Sequence, residues 1–292
     1  MTDRANKEVF HRSTAFLRVF PSVCLAAFLT FGSQLHAHED GVHIKQGLEA
    51  LEAQDFALAS EEFSSAFDEG DPDGAFYLGR MLELGVGSSP NLQAAVGLYI
   101  AGSAKGSAAS KNRLGVLHVQ GNGVLQDYEQ GAALVCEAAD LGDVNGAYNC
   151  GSLTLEGRGV AQDEAKAYDW FRKAADMGHL GAKNAYANAM IEGKYVEQDV
   201  AGAVALFQQT AAEGNPVGLY ALGQSFAVGL GVDQDLVKAH SYFNLASALG
   251  HPQAAGARAA LEKQMSSEDV KLAQQRAKAW RPIQGENSIL PD

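Results

Sequence analysis

The sequence predicts an all-α protein, an α/α superhelical solenoid of 36-residue helix-turn-helix repeats. Three recurrences carry that reading. Gly70, Gly106, Gly142, Gly178, Gly214 and Gly250 fall 36 residues apart without a slip. A second glycine keeps the same frame at Gly85, Gly121, Gly157, Gly193 and Gly229, followed by a cap-forming residue at Asn91, Asp127, Asp163, Asp199 and Asp235. Four residues beyond the cap stands a small residue, Ala95, Gly131, Ala167, Ala203 or Ala239, and four further on a large apolar one, Tyr99, Val135, Phe171, Phe207 or Phe243. A fixed period of this length is the mark of stacked two-helix units.

Residues 1–37 differ from the rest. Arg4, Lys7, Arg12 and Arg18 make a basic start, Val19 to Gly32 carries no charge, and Ser33 to Ala37 supplies a small-residue exit. That is the layout of a secretory signal peptide, cleaved after Ala37, and it implies a periplasmic or secreted protein. The alternative, a retained anchor, is short of the roughly 20 apolar residues a spanning helix needs. Cys24 follows Pro-Ser-Val, a poor lipidation site, and no second apolar run follows, so no membrane span is expected after cleavage.

Residues 38–70 read as a shorter hairpin, with Ala59 and Phe63 in frame but without the Gly-x-Gly-Val loop. Residues 71–251 hold five repeats, and Asn145 to Gly178 shows how one folds. Ala147, Cys150, Gly151 and Thr154 recur at helical spacing. Gly157-Arg158-Gly159-Val160 ends that helix, because glycine takes the left-handed closing conformation at little cost. Asp163 caps a second helix that carries Ala167, Trp170, Phe171, Ala174 and Ala175 on one face. One such unit cannot bury its apolar face alone, so neighbours must stack. Residues 252–282 read as two closing helices, with Ser266 and Asp269 at capping-box spacing, and 283–292 as a tail.

Composition narrows the partners. The net charge is −13, and losing the four basic and two acidic residues of 1–37 takes it to −15. So acidic a chain, with no Lys/Arg cluster, has no use for a phosphate backbone, and nucleic acid is excluded as a partner class. A protein partner offering a neutral or basic segment is implied.

Leu78-Gly79, Leu114-Gly115 and Leu222-Gly223, the Gly-x-Gly-Val loops at Gly121, Gly157 and Gly229, and Trp170-Phe171-Arg172-Lys173-Ala174-Ala175 together resemble the Sel-one-like repeat family, relatives of tetratricopeptide repeats. The resemblance runs from about Asp73 to His251. It implies an α/α superhelix used in protein assembly and signalling, and it names no substrate. The fourth repeat departs from the pattern, with Ala187 in a glycine column and Gly193-Lys194-Tyr195 in the loop.

Aligned with tetratricopeptide repeats, the first helices line the concave face and three columns turn inward: Phe76, Asn112, Tyr148, Asn184, Tyr220; then Arg80, Val116, Ser152, Asn188, Gln224; then Leu84, Gln120, Glu156, Glu192, Val228. Rings and amides suit an extended peptide or a helix, and Glu156 and Glu192 favour a basic one. The candidate ligand-binding set is Phe76, Arg80, Asn112, Tyr148, Glu156, Asn184, Asn188, Glu192, Tyr220 and Gln224.

Catalytic readings find less. The Gly-x-Gly pairs end a helix and lead into an acidic cap that repels phosphate. The histidines show no zinc spacing, no nucleophile motif exists, and no cofactor is implied. Glu156 and Glu192, on equivalent first-helix positions, admit a glycosidase-like carboxylate pair, but an acidic groove wall gives the same pattern. A protein-interaction scaffold rather than an enzyme is therefore the reading. A cell-wall-directed or β-lactam hydrolase is the alternative, since cysteine-rich relatives have been linked to β-lactams, though no motif residue carries that over.

Cys136 and Cys150 lie equidistant from Asp143, in the turn between a second helix and the next first helix, amid Ala139, Gly146, Ala147 and Gly151. That placement permits a bridge. The cysteine-rich relatives place their pair one turn nearer the connection, at Ala139 and Ala147 here. Cys136 also shares its column with Arg172, Gln208 and Asn244, which points it outward. A bridge and two free thiols both stay open.

Overall fold

The computed structural model describes residues 41–282. The expected signal segment and its cleavage point, and the expected tail at 283–292, lie outside the described residues. Fourteen α-helices and no strand are present among the described residues, in the α/α repeat architecture. They form two compact units that divide between Asp199 and Val200.

The first unit holds nine helices: α1 (Val42–Glu52), α2 (Phe56–Asp68), α3 (Asp73–Leu84), α4 (Leu92–Ala104), α5 (Ala108–Gln120), α6 (Tyr128–Asp140), α7 (Val144–Glu156), α8 (Glu164–Asp176) and α9 (Leu180–Glu192). Each packs on the next in chain order. Their ends are set locally. Asn91, Asp127 and Asp163 accept hydrogen bonds from the amides of Ala94, Gln130 and Lys166, so α4, α6 and α8 start where a carboxylate or amide satisfies a free N–H. Helices α3, α5, α7 and α9 end in a left-handed glycine.

The core interlocks small with large. Tyr99, Val135 and Phe171, one per second helix, are fully or almost fully buried. Each presses on a first-helix glycine: a Cβ added at Gly151 would stand 2.8 Å from the Phe171 ring, and one at Gly115 would stand 2.7 Å from a Val135 methyl. Such a buried ring contributes about 2–3 kcal/mol, and the glycine opposite lets the backbone come close enough to enclose it. Tyr99 keeps its hydroxyl satisfied by donating to Glu83 at 2.6 Å. Glu83 also takes the guanidinium of Arg113 and, at 2.9 Å, that of Arg80. Burial resists the charge on Glu83, but Arg113 outweighs it and holds the carboxyl below its usual range.

Cys136 and Cys150 are joined by a disulfide with their Cα atoms 5.0 Å apart. Cys150 is buried while Cys136 stays half-exposed, in keeping with the polar residues of its column. The α6–α7 hairpin is tight enough to join them because Gly146 runs along α6: a Cβ there would sit 3.0 Å from the Ala139 amide.

The second unit contains α10 (Val200–Ala212), α11 (Pro216–Val228), α12 (Leu236–Ala248), α13 (Ala254–Glu262) and α14 (Ser267–Ala279). Asn215 accepts from the Val217 and Gly218 amides, with Pro216 opening α11. Helix α12 is the centre: it packs on α11, α13 and α14. Ser241 donates to the Ala273 carbonyl of α14 at 3.0 Å, and the buried His240 pairs through Nε2 with Glu262 of α13 at 2.8 Å. Ser266 accepts from the Asp269 amide and donates to its carboxylate, a capped start for α14.

Candidate ligand-binding face

Three residues of the first inward column are buried and two are half-exposed. Phe76 and Asn112 are 8% exposed and Asn184 only 3%, so these three present little surface of their own. They sit one turn into a first helix, and for Asn112 the cap of the following repeat, Asp143, lies against the side chain. Phe76 packs its ring on Tyr77 and Tyr99. Asn112 accepts from Asn149 at 3.0 Å and also touches Asp143, the cap of α7. Burial lifts the Asp143 carboxyl to about 6, with Asp73 nearby pushing the same way.

Tyr148 stacks on His179 with centroids 4.3 Å apart, and in the second unit Tyr220 stacks on His251 at 4.1 Å. Burial lowers both histidines to about 4, so they are neutral rings in the stack at neutral pH. His179 uses Nδ1 to cap α9, accepting from the Ala182 amide at 3.0 Å. Polar residues on a helix face read as solvated in sequence; here they bond across the seam between layers.

The second column divides. Arg80 is held by Glu83, and Ser152 donates back to the Tyr148 carbonyl. Asn188 is exposed. In the second unit, Gln224 donates to the Tyr220 hydroxyl at 3.3 Å. The third column, at the C-terminal turn of each first helix, is exposed throughout. Glu156 pairs with Arg158 at 3.0 Å. Glu192 lies close enough to Tyr168 for its charge, after burial, to raise the phenol's pKa. The structure thus leaves Glu156, Asn188 and Glu192 accessible in the first unit, on α7 and α9.

The second unit offers something different. A cavity of about 200 Å³ opens among Tyr220, Gln224 and Val228 of α11, Phe243 of α12, and Leu261 and Gln264 of α13. Its walls are mainly apolar, with two amides, and they include two of the sequence-predicted residues. The contribution of α13 was not legible, because residues after 252 leave the repeat frame. No group of histidine, cysteine or carboxylate side chains suited to a metal occurs among the described residues, and none of their helices is long and apolar enough to cross a membrane.

The model of the Sel1 repeat matches residues 72–107, 108–143, 144–179, 182–215 and 216–251. Among solved structures, a protective antigen present in uropathogenic Escherichia coli strains and displaying an SLR fold is similar at 27% identity and a TM-score of 0.68, over 77% of this chain and 48% of that one. The chain therefore spans about half the length of that antigen. A Sel1 repeat protein from Oxalobacter formigenes is similar at 19% identity and a TM-score of 0.67, over 84% of this chain and 99% of that one, and shows the fold. No curated protein sequence matches the chain.

Proposed function

The chain belongs to the Sel1 repeat family, and from that premise we propose that it is an exported interaction scaffold whose first-helix face holds a neutral or basic segment of a partner protein. Sel1 repeat proteins generally mediate protein–protein interaction, and the family is typically non-catalytic. The observation that carries the finer reading is the exposure of Glu156, Asn188 and Glu192 beside a seam whose own polar groups bond one another. Carboxylates and an amide at the accessible end of successive first helices draw a cationic peptide and satisfy its backbone. Export rests on the basic start and uncharged run of residues 1–37. The hydrolase alternative gains no support from the cavity, where none of the lining residues is a carboxylate, histidine or serine.

The test places a photoreactive side chain at Asn188 on α9, and in a second strain at Arg172 on α8, in cells that make the protein. The expected outcome is a partner captured from position 188 and not from 172, with capture reduced by E156K and E192K and the mature chain beginning at His38 by intact mass. Capture from 172 alone overturns the face, and a mature mass that includes residues 1–37 overturns export.

A further inference from the structure

We propose that Tyr195 and Glu164 form a seat for an arginine side chain of the partner segment, held in the free protein by Lys194. Among the described residues only Gln54 and Tyr195 carry a side chain at positive φ, and Tyr195 does so at 65°. The same loop position is Gly87, Gly123 or Gly159 in the other repeats of this unit, each left-handed and pressed on the preceding layer. A left-handed tyrosine cannot tuck in as those glycines do. Its ring lies instead along Tyr168, centroids 6.1 Å apart and planes 19° apart, and it remains 48% exposed.

The chemistry around that ring selects a cation. Lys194 places its ammonium 4.7 Å from the Tyr195 centroid and 3.0 Å from a Glu164 oxygen. One layer earlier the arrangement recurs with arginine: Arg158 lies over Tyr128 at 5.6 Å and pairs with Glu156 at 3.0 Å. This edge therefore seats a cation between a tyrosine face and a carboxylate twice, each time with a residue of its own. A guanidinium fits such a seat better than an ammonium, because its plane stacks on the ring while its fork grips the carboxylate, and it sheds water more readily. Glu192, whose charge reaches Tyr168, adds to the pull. An arginine on the bound segment displaces Lys194. This rests on the basic-segment reading above and deepens it.

The test uses labelled (Gly-Arg)5 and (Gly-Lys)5 peptides at low salt, read by fluorescence anisotropy, on the whole chain and three variants: Tyr195→Gly, Lys194→Ala and, as the charge-matched control on α8, Arg172→Ala. The expected result is tighter binding of the arginine peptide than the lysine peptide by the wild type. Tyr195→Gly then loses about fivefold or more in affinity for the arginine peptide with a melting temperature no lower than wild type, and Lys194→Ala gains about threefold over Arg172→Ala. Binding by Tyr195→Gly within twofold of wild type, or by Lys194→Ala within twofold of Arg172→Ala, overturns the seat and leaves the interaction face standing. If the wild type binds neither peptide, the face falls and the seat with it.

Discussion

Gly159 gives the sharpest test of how the layers lock. It sits at φ 74° in the loop between α7 and α8, and a Cβ there would collide with the carbonyl oxygen of Tyr128 at the start of α6. Replacing it with alanine acts twice. The left-handed conformation costs an L residue about 1–2 kcal/mol, and forcing a methyl against fixed backbone costs about 1–3 kcal/mol more, since a helix must move. The sum is about 2–5 kcal/mol. Gly142 is the control: it is left-handed at φ 94°, with nothing within 4 Å of an added Cβ, so Gly142→Ala carries only the backbone cost. For a chain of this size 1 kcal/mol moves a melting temperature by about 2–4 °C. Thermal unfolding followed by circular dichroism should therefore place Gly159→Ala about 4–20 °C below wild type and Gly142→Ala only about 2–8 °C below, with the larger shift for Gly159→Ala. Equal shifts for the two variants would refute the claim that the loop bears directly on the preceding helix.

Two further outcomes follow from the α6–α7 turn. Asp143 titrates near 6 in the folded chain against 3.8 ordinarily, so the native state holds the extra proton between those values and the stability it confers, full below 3.8, is lost as pH rises through 6. Asp143→Asn keeps the cap and removes the buried charge; it should gain about 1–3 kcal/mol at pH 7.5 and nothing at pH 3.5, and a pH-independent difference in urea titrations would count against it. The bridge between Cys136 and Cys150 predicts that chain lacking residues 1–37, taken from an oxidising compartment and unfolded without reductant, takes no alkyl label, and two after reduction. Two labels without reduction would show free thiols.

The repeat frame was legible because the residues that set it act locally. A glycine that must turn left-handed, as at Gly157, and an aspartate that must meet an amide, as at Asp163, leave their mark one position at a time. The small-facing-large pairs, such as Gly151 with Phe171, repeat at the same offset for the same reason. Exposure along the first helices was legible only at their open, C-terminal ends. Phe76, Asn112 and Asn184 read as inward-facing, yet burial depends on what the next layer brings, and a residue 31 positions on, such as His179 over Tyr148, is no neighbour in sequence. Tyr195 stood out as a break in a glycine column, but its bearing on Tyr168 needed the fold. The wall that α13 lends to the cavity had no periodic signature to find.

The disulfide has a consequence for how the chain comes apart. Cys136 and Cys150 belong to different repeats, 108–143 and 144–179, so the bond crosses the boundary between two units rather than closing one. In a stack held by nearest-neighbour interfaces, unfolding advances like a zipper, one interface at a time from a free end. A covalent stitch across one interface joins two of those steps into one. Under a protease or a pulling force, the hairpins on either side can peel one at a time while this pair stays tethered and leaves together.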